Sequence, residues 1–521
     1  MKMRLLALVS TALILAACNK AAPPTEPAKP AETAPKPEVA AVGIIKPVDI
    51  PAGFGYPGNR TEFQAWADTW QIDNITTAAW NLWAGMTSDS GQAWEGANLP
   101  VWETWCGISE TFSKEGCAAG MMRPSRGFQP ASQIGHAARK AGLQLPADTN
   151  VVSFNKFNPS MAGYLAAQHP GPGGAQYSYT SMQSQVNLNA AWAQGTAVAD
   201  RKVVDAPYQP DSGDAIGFAG METKPVIFLI KASGLTPMPL WQGVQQSTTP
   251  ANATPETWLT CVLLDPANPA GPDTVPVAAT PEQIKQAVPS SGLSCQSYLY
   301  APLSTIYNFK MDQADADNWN KNQSNNGDGG QGLTATAGDF GVLAGMHVNS
   351  KTIVNWTWET FWWQPGADAP NNFPGSKRGM TANVKGAWRN YAMCSAWNQT
   401  KGNASTDMVV CFNPFLETSS GIPAGQTSNC VSCHGVATFG AAAISGTPPS
   451  NAATTMNYPA SYSAPIDFTA NACTQSTPPG SQTCFADFTK TDFSWAMPGN
   501  ARNDLPQPQP QPPATPPAEK K

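Results

Sequence analysis

The spacing of apolar residues changes character along this chain. Between residues 61 and 86 they recur at helical intervals, with Trp66, Trp70, Trp80 and Trp83 on two predicted helices, 61–70 and 74–86. Asp73 is the expected N-cap of the second. Residues 132–141 read as a short helix closed by Gly142. Asn158-Pro159 opens another, which stops before His169-Pro170. Beyond that point the apolar runs are short or alternate. Residues 226–230, 257–264, 304–309, 340–348 and 353–363 read as strands. Helices first and strands later predict an α+β fold: a large, loop-rich domain with N-terminal helices and a largely antiparallel sheet. After residue 434 only 433–444 and 487–497 keep a helical pattern, and 441–465 is small, polar and proline-rich.

Two aromatic blocks interrupt the pattern. One is Val101-Trp102-Glu103-Thr104-Trp105, the other Asn355-Trp356-Thr357-Trp358-Glu359-Thr360-Phe361-Trp362-Trp363. Their shared Trp-Glu-Thr-aromatic order marks two facing strands or chance. On a strand, Trp356, Trp358, Thr360 and Trp362 take one face, and Glu359, Phe361 and Trp363 the other. Glu359 then sits among rings, and burial raises its pKa. It is either an ordinary hydrogen-bonded core residue, the plainer reading, or a weak catalytic candidate for accepting a proton. Residues 312–332, rich in Asp, Asn and Gly, read as a flexible surface loop. Trp319 stands where a calcium loop beginning at Asp315 and Asp317 needs an oxygen ligand, so calcium is not expected there.

The N-terminus changes the picture of where the protein works. Lys2 and Arg4 precede an apolar run, 5–15, too short to span a bilayer, and the run ends in Leu15-Ala16-Ala17-Cys18. This resembles a bacterial lipobox, which implies a lipoprotein signal peptide (1–17) and lipidation of Cys18. Asn19, in place of Asp, points to the outer membrane, with the protein facing periplasm or exterior. Acyl chains contribute about 0.8 kcal/mol per buried CH₂, enough to anchor firmly when several are attached. Residues 18–47, rich in Ala, Pro, Lys and Glu, form an expected disordered tether, and 503–521 a disordered Pro-rich tail. Charged residues are only 13% and the net charge is −6, with no basic cluster, so a nucleic-acid partner is not expected.

Of 11 cysteines, Cys18 takes lipid and two more belong to Cys430-Val431-Ser432-Cys433-His434. The remaining eight fall as neighbours: Cys106/Cys117, Cys261/Cys295, Cys394/Cys411 and Cys473/Cys484. Pairing of neighbours is the favoured pattern in an oxidising compartment. The C-x-x-C-H run is the attachment signature of a single covalent haem c. Two thiols add to the porphyrin vinyl groups, and His434 falls under the iron as proximal ligand. A zinc or redox pair is the competing reading, which the export signal disfavours.

The strand holding Met346-His347-Val348, the Trp-rich block, Cys411-Phe412-Asn413-Pro414-Phe415-Leu416-Glu417 and Ser428 to Gly435 together resemble a family of exported bacterial mono-haem cytochrome c-like proteins with no assigned substrate. The resemblance implies haem and an envelope location. It implies little about reaction type.

The sixth iron ligand is open between His347, next to the aromatic strands, and Met497-Pro498, placed after His434 much as in small class I cytochromes c. Met456, His136 or an open position are lesser candidates. His136 and His169 read as structural histidines. The expected partition is a large α+β domain (48–412) and a small cytochrome c-like helical haem segment (413–502). The leading function is one-electron transfer with a redox partner protein or a small-molecule donor or acceptor. The rivals are a peroxidase-like or other small-molecule redox enzyme with an open sixth site, and a haem-containing ligand sensor or scaffold.

Overall fold

A computed structural model describes residues 43–117, 119–130, 152–193, 219–250, 253–290, 292–323, 331–369, 372–401, 407–418, 425–435, 437–440, 488–502 and 504. The expected signal peptide, most of the tether, the 132–141 helix, Cys18, His136, Met456, Cys473 and Cys484 lie outside them.

Two helices open the fold. α1 (Arg60–Asp68) starts where the Asn59 side chain accepts the Glu62 N–H at 3.0 Å. α2 (Ile72–Met86) buries Ile75, Trp80, Leu82, Trp83 and Met86. Between them Trp70 has a φ of 53°, a left-handed conformation that ends helical propagation. Gln71 is the N-cap of α2. Asp73, expected there, lies inside the first turn, where its carboxylate complements the helix dipole and meets Arg378 at 2.6 Å.

The strands gather mainly in a nine-stranded sheet. Its centre is β1 (Met221–Ile230), β2 (Phe340–Ser350), β3 (Thr357–Trp363) and β4 (Tyr391–Ala396), side by side as β4-β3-β2-β1 and antiparallel throughout. Short strands at Val152–Ser153 and Lys156–Phe157 pair beyond β1, and Asn308–Lys310 pairs with β2. A second, four-stranded sheet contains Thr260–Asp265, which runs parallel to Ser297–Pro302 and antiparallel to Thr236–Pro239. The α+β class and the largely antiparallel sheet therefore hold.

Several elements differ from the expectation for identifiable reasons. The 353–363 run becomes a strand only from Thr357, because Trp356 has a φ of 62°. The 304–309 run divides into a 3₁₀ turn, Leu303–Thr305, and the short strand Asn308–Lys310. Val101–Thr104 is a 3₁₀ turn rather than a strand facing β3. The expected loop at 312–332 carries a helix, Gln313–Gln323. Its Trp319 is fully buried, and Asp315 takes hydrogen bonds from Arg123 at 2.6 Å and Arg126 at 3.1 Å. Long-range ion pairing and one buried ring override a local sequence that reads as loop. Met182–Ala193 is a further helix that the periodicity did not reveal.

Cys106–Cys117, Cys261–Cys295 and Cys394–Cys411 stand as neighbour disulfides, with Cα–Cα separations of 6.1, 5.5 and 5.7 Å. The described residues belong to one compact unit, and those described in the C-terminal part pack on the sheet within it. Those described after the C-x-x-C-H turn do not continue as a helix. Thr438–Gly440 pairs antiparallel with Phe488–Lys490. No helix among the described residues is long and apolar enough to cross a membrane.

Register assigns the two faces of the central sheet. Directly paired residues in an antiparallel ladder share a face. Thr223, Val348, Glu359 and Ser395 form one transverse row, and Pro225, Met346, Phe361 and Met393 the next. This face packs on α2. The Phe361 ring lies parallel to Trp83 at 4.0 Å and edge-on to Trp80 at 5.4 Å. The opposite face receives the C-terminal segment.

Candidate cofactor site

On that opposite face the rows are Glu222, Asn349, Trp358, Ala396 and, one step along, Lys224, His347, Thr360, Cys394. Four strands drawn from residues 221 to 396 thus present a polar, aromatic and sulfur-bearing surface within two rungs. A third row, Val226, Gly345, Trp362, Ala392, completes it. Gly345 is small for a reason. A Cβ there would meet the Asn413 carboxamide at 2.8 Å, so its absence lets the 411–417 segment lie directly on the sheet.

That segment is pinned by its polar atoms. Asn413 Nδ2 donates to Thr360 Oγ1 at 2.8 Å and to the Phe361 carbonyl at 2.9 Å, while its Oδ1 accepts the Phe415 N–H. Its backbone N–H donates to Glu417, whose Oε2 also lies 3.2 Å from His347 Nε2. With Nε2–H donated to a carboxylate, the lone pair of a neutral imidazole is on Nδ1.

The C-x-x-C-H residues form a single helical turn, α3 (Cys430–His434). Asn429 caps it, its Oδ1 accepting the Val431 N–H at 2.8 Å while Nδ2 donates to the carbonyls of Val409 at 2.8 Å and Asn398 at 3.1 Å. Ser432 Oγ donates to Gln399 Oε1 at 3.1 Å. The Cys411 N–H donates to the Ser428 carbonyl at 3.0 Å, and Cys430 Sγ lies 3.4 Å from the Cys411 carbonyl. Cys433 holds its place in the turn; its side chain lies outside the described residues.

His434 is buried against Trp358, ring centroids 4.1 Å apart. Its Nδ1–H donates to the Phe493 carbonyl at 2.9 Å. Burial pushes the imidazole down to about 3, so it is neutral at physiological pH, with its lone pair on Nε2. The Phe493 carbonyl comes from an unusual turn: Asp492 and Phe493 have φ of 48° and 64°, a conformation costing of order 1 kcal/mol or more per residue. Buried Lys351 holds the turn, meeting Asp492 Oδ1 at 2.6 Å and the Val354 carbonyl at 2.8 Å.

His434 and His347 line one cavity of about 50 Å³, together with Glu222, Lys224, Asn349 and Asn500. Burial raises the Glu222 carboxyl to about 7, although Ser494 Oγ donates to it at 3.3 Å. Met497 lies on α4 (Ala496–Asn500), whose Ala496 and Asn500 reach the cavity; its own fully buried side chain is in the apolar core and not on the cavity wall.

Other sequence candidates go elsewhere. Glu359 is on the α2 face, where Thr357 and Ser395 donate to it at 3.3 and 3.2 Å and burial raises it to about 8. It does not join His434. His169 is in a short strand, Gln168–Pro170, with Nε2 2.8 Å from the Tyr164 carbonyl and its ring stacked on Tyr179.

Sequence reasoning missed Glu222, Lys224, Glu417 and the Asp492-Phe493 turn. Only the alternation of charged 222 and 224 just before an apolar run hinted at the first two. No protein-family model, curated protein or solved structure matches this chain.

Proposed function

We propose that this protein is a single-haem c-type electron carrier, with Cys430 and Cys433 as thioether attachments, His434 as proximal ligand and His347 as sixth ligand. The observation that carries the reading is the state of His434. The imidazole of a C-x-x-C-H turn is buried, neutral, and held through Nδ1 by a backbone carbonyl, with the nitrogen that iron would take kept in its basic form. A second imidazole, oriented by a carboxylate, lines the same cavity. That pattern of an oriented histidine with its other nitrogen donated is what metal ligation requires of the surrounding protein.

The donor set therefore fits haem c. The 50 Å³ cavity is much smaller than a porphyrin, so seating one requires neighbouring side chains to move apart. When bound, the group supplies a reversible one-electron iron couple. The chain's own residues fix the proximal imidazole through Phe493, cover it with Trp358 and orient His347 through Glu417. Two imidazole ligands keep the potential lower than a thioether would. In this reading the small C-terminal segment is not a self-contained cytochrome fold, because the large domain supplies His347, Trp358 and the Asn413 support.

The proposed setting is the cell envelope, anchored through lipidated Cys18, with a redox partner protein or a small-molecule donor or acceptor and no nucleic acid. One observation favours a second reading. Glu222, poised near neutrality in the cavity, is a suitable proton donor or acceptor if the sixth position is open, as in a haem enzyme.

The deciding experiment is a visible spectrum of the exported protein, oxidised, dithionite-reduced and then exposed to carbon monoxide. A low-spin haem c spectrum unchanged by carbon monoxide is expected. A high-spin, carbon monoxide-sensitive spectrum moves the assignment to the enzyme or sensor class. Covalent haem in full yield after Cys430→Ala and Cys433→Ala together refutes the attachment site.

A further inference from the structure

We propose that Lys351 and Asp492 are an isopeptide-forming pair: the Lys351 amine condenses with the Asp492 side-chain carboxyl, one water leaves, and the end of β2 is joined covalently to the turn that aims His434. The bond needs no cofactor and forms whether or not Cys430 carries haem.

The two groups already touch. Lys351 Nζ lies 2.6 Å from Asp492 Oδ1, across 141 residues of sequence, and the two side chains are only 1% and 5% exposed. Lys351 follows directly on β2, where its N–H donates to the Gly220 carbonyl at 3.1 Å. Its Nζ also donates to the Val354 carbonyl at 2.8 Å and lies 5.6 Å from the centre of the Trp356 ring, so the amine is fixed in direction as well as place. An amine held against a carboxyl has already given up the translational and rotational freedom that makes amide formation slow between free partners. Burial acts in the same sense. It strips hydration from the ion pair, which favours amine and acid over ammonium and carboxylate. It also keeps away the water that would hydrolyse the product. The bond would hold the Asp492-Phe493 turn, and with it the Phe493 carbonyl that His434 Nδ1–H meets at 2.9 Å.

The step balances without an oxidant. One proton passes from Nζ to the carboxylate, leaving a neutral amine and a carboxylic acid. The Nζ lone pair then forms a C–N bond to the Asp492 carboxyl carbon, the C–O bond to the protonated oxygen breaks, and that oxygen leaves as water with a second proton from nitrogen. Buried Glu222, which accepts from Ser494 Oγ at 3.3 Å two residues beyond Asp492, is beside the turn to relay the second proton.

Another lysine–aspartate contact supplies an internal control. Lys231 meets Asp339, where burial is outweighed by donors: Lys231 itself, the Ala232 and Thr336 N–H groups and the Thr336 hydroxyl hold the Asp339 carboxyl below its ordinary range. The Lys231 side chain is also 23% exposed. That pair stays ionic.

The test is a tryptic peptide map of the full exported chain, reduced and denatured after folding, beside Lys351→Arg, which keeps the positive charge and has no primary amine to acylate. The expected result is loss of cleavage after Lys351 and a branched peptide that joins Lys351 to peptide 491–502, one water lighter than its two parts. Lys351→Arg is expected to yield only the linear 491–502 peptide, and Lys231 and Asp339 stay unlinked in both. A linear 491–502 peptide with normal cleavage after Lys351 in the folded, unaltered chain overturns the proposal and leaves a buried ion pair. Water loss confined to peptide 491–502, the mark of a cyclic imide at Asp492, overturns it too, as does equal linkage of Lys231 to Asp339.

Discussion

Two imidazoles share one cavity, and each is aimed by a different kind of partner, a carbonyl for His434 and a carboxylate for His347. This makes single-residue tests specific. His347→Ala is expected to turn a low-spin haem spectrum into a high-spin one that binds carbon monoxide, while Met497→Ala leaves ligation unchanged and lowers stability by about 2–5 kcal/mol as a core truncation. A sulfur-to-iron charge-transfer band lost only in Met497→Ala would reverse the assignment. Glu359 sets a separate, pH-dependent test away from the cavity. Its folded value of about 8 lies above its ordinary 4.5, so between those limits the unfolded chain binds fewer protons than the folded one. Stability from this group is then greatest below pH 4.5 and falls as pH rises toward 8, by at most about 1.4 kcal/mol per pH unit. Glu359→Gln should flatten that fall, raising the denaturation midpoint at pH 8 relative to pH 5 when both proteins are unfolded in urea.

At the scale of elements, the C-x-x-C-H turn is five residues long and cannot be stable alone. It is held by its cap and by the segments around it. Asn429→Ala removes the cap and leaves two half-buried carbonyls without their donor, so a loss of about 1–2 kcal/mol is expected, read from the urea midpoint. The legibility of the site divides along the same line. Cys430, Cys433 and His434 are adjacent in sequence, and their spacing alone states their chemistry. His347 was nameable because histidines are few. Glu222 and Lys224 were not, because their presence depends on the register of β1 against β2, strands separated by more than a hundred residues. The Phe493 carbonyl is still less legible, since a backbone group is aimed only by dihedral angles that the residue types Asp492 and Phe493 do not announce. The helix at Gln313–Gln323 was hidden for a related reason: Arg123 and Arg126, remote in sequence, supply the ion pairs that bury Asp315.

Over the whole molecule, the long strands and the first helices were readable because burial imposes period and composition on them. The placement of the described residues after 411 was not, because they lie against the sheet's second face through contacts with strands remote in sequence, as Asn413 does with Thr360 and His434 with Trp358. One consequence concerns synthesis. The His434 imidazole packs on Trp358, shares its cavity with residues 222 and 347, and is aimed by the carbonyl of residue 493. A chain made from its N-terminus reaches residue 434 with the sheet already encoded but the closing turn still absent. The oriented imidazole can exist only in a polypeptide that extends through Phe493, so a chain broken off before Asp492 carries every residue of the C-x-x-C-H motif and lacks the means to aim its histidine.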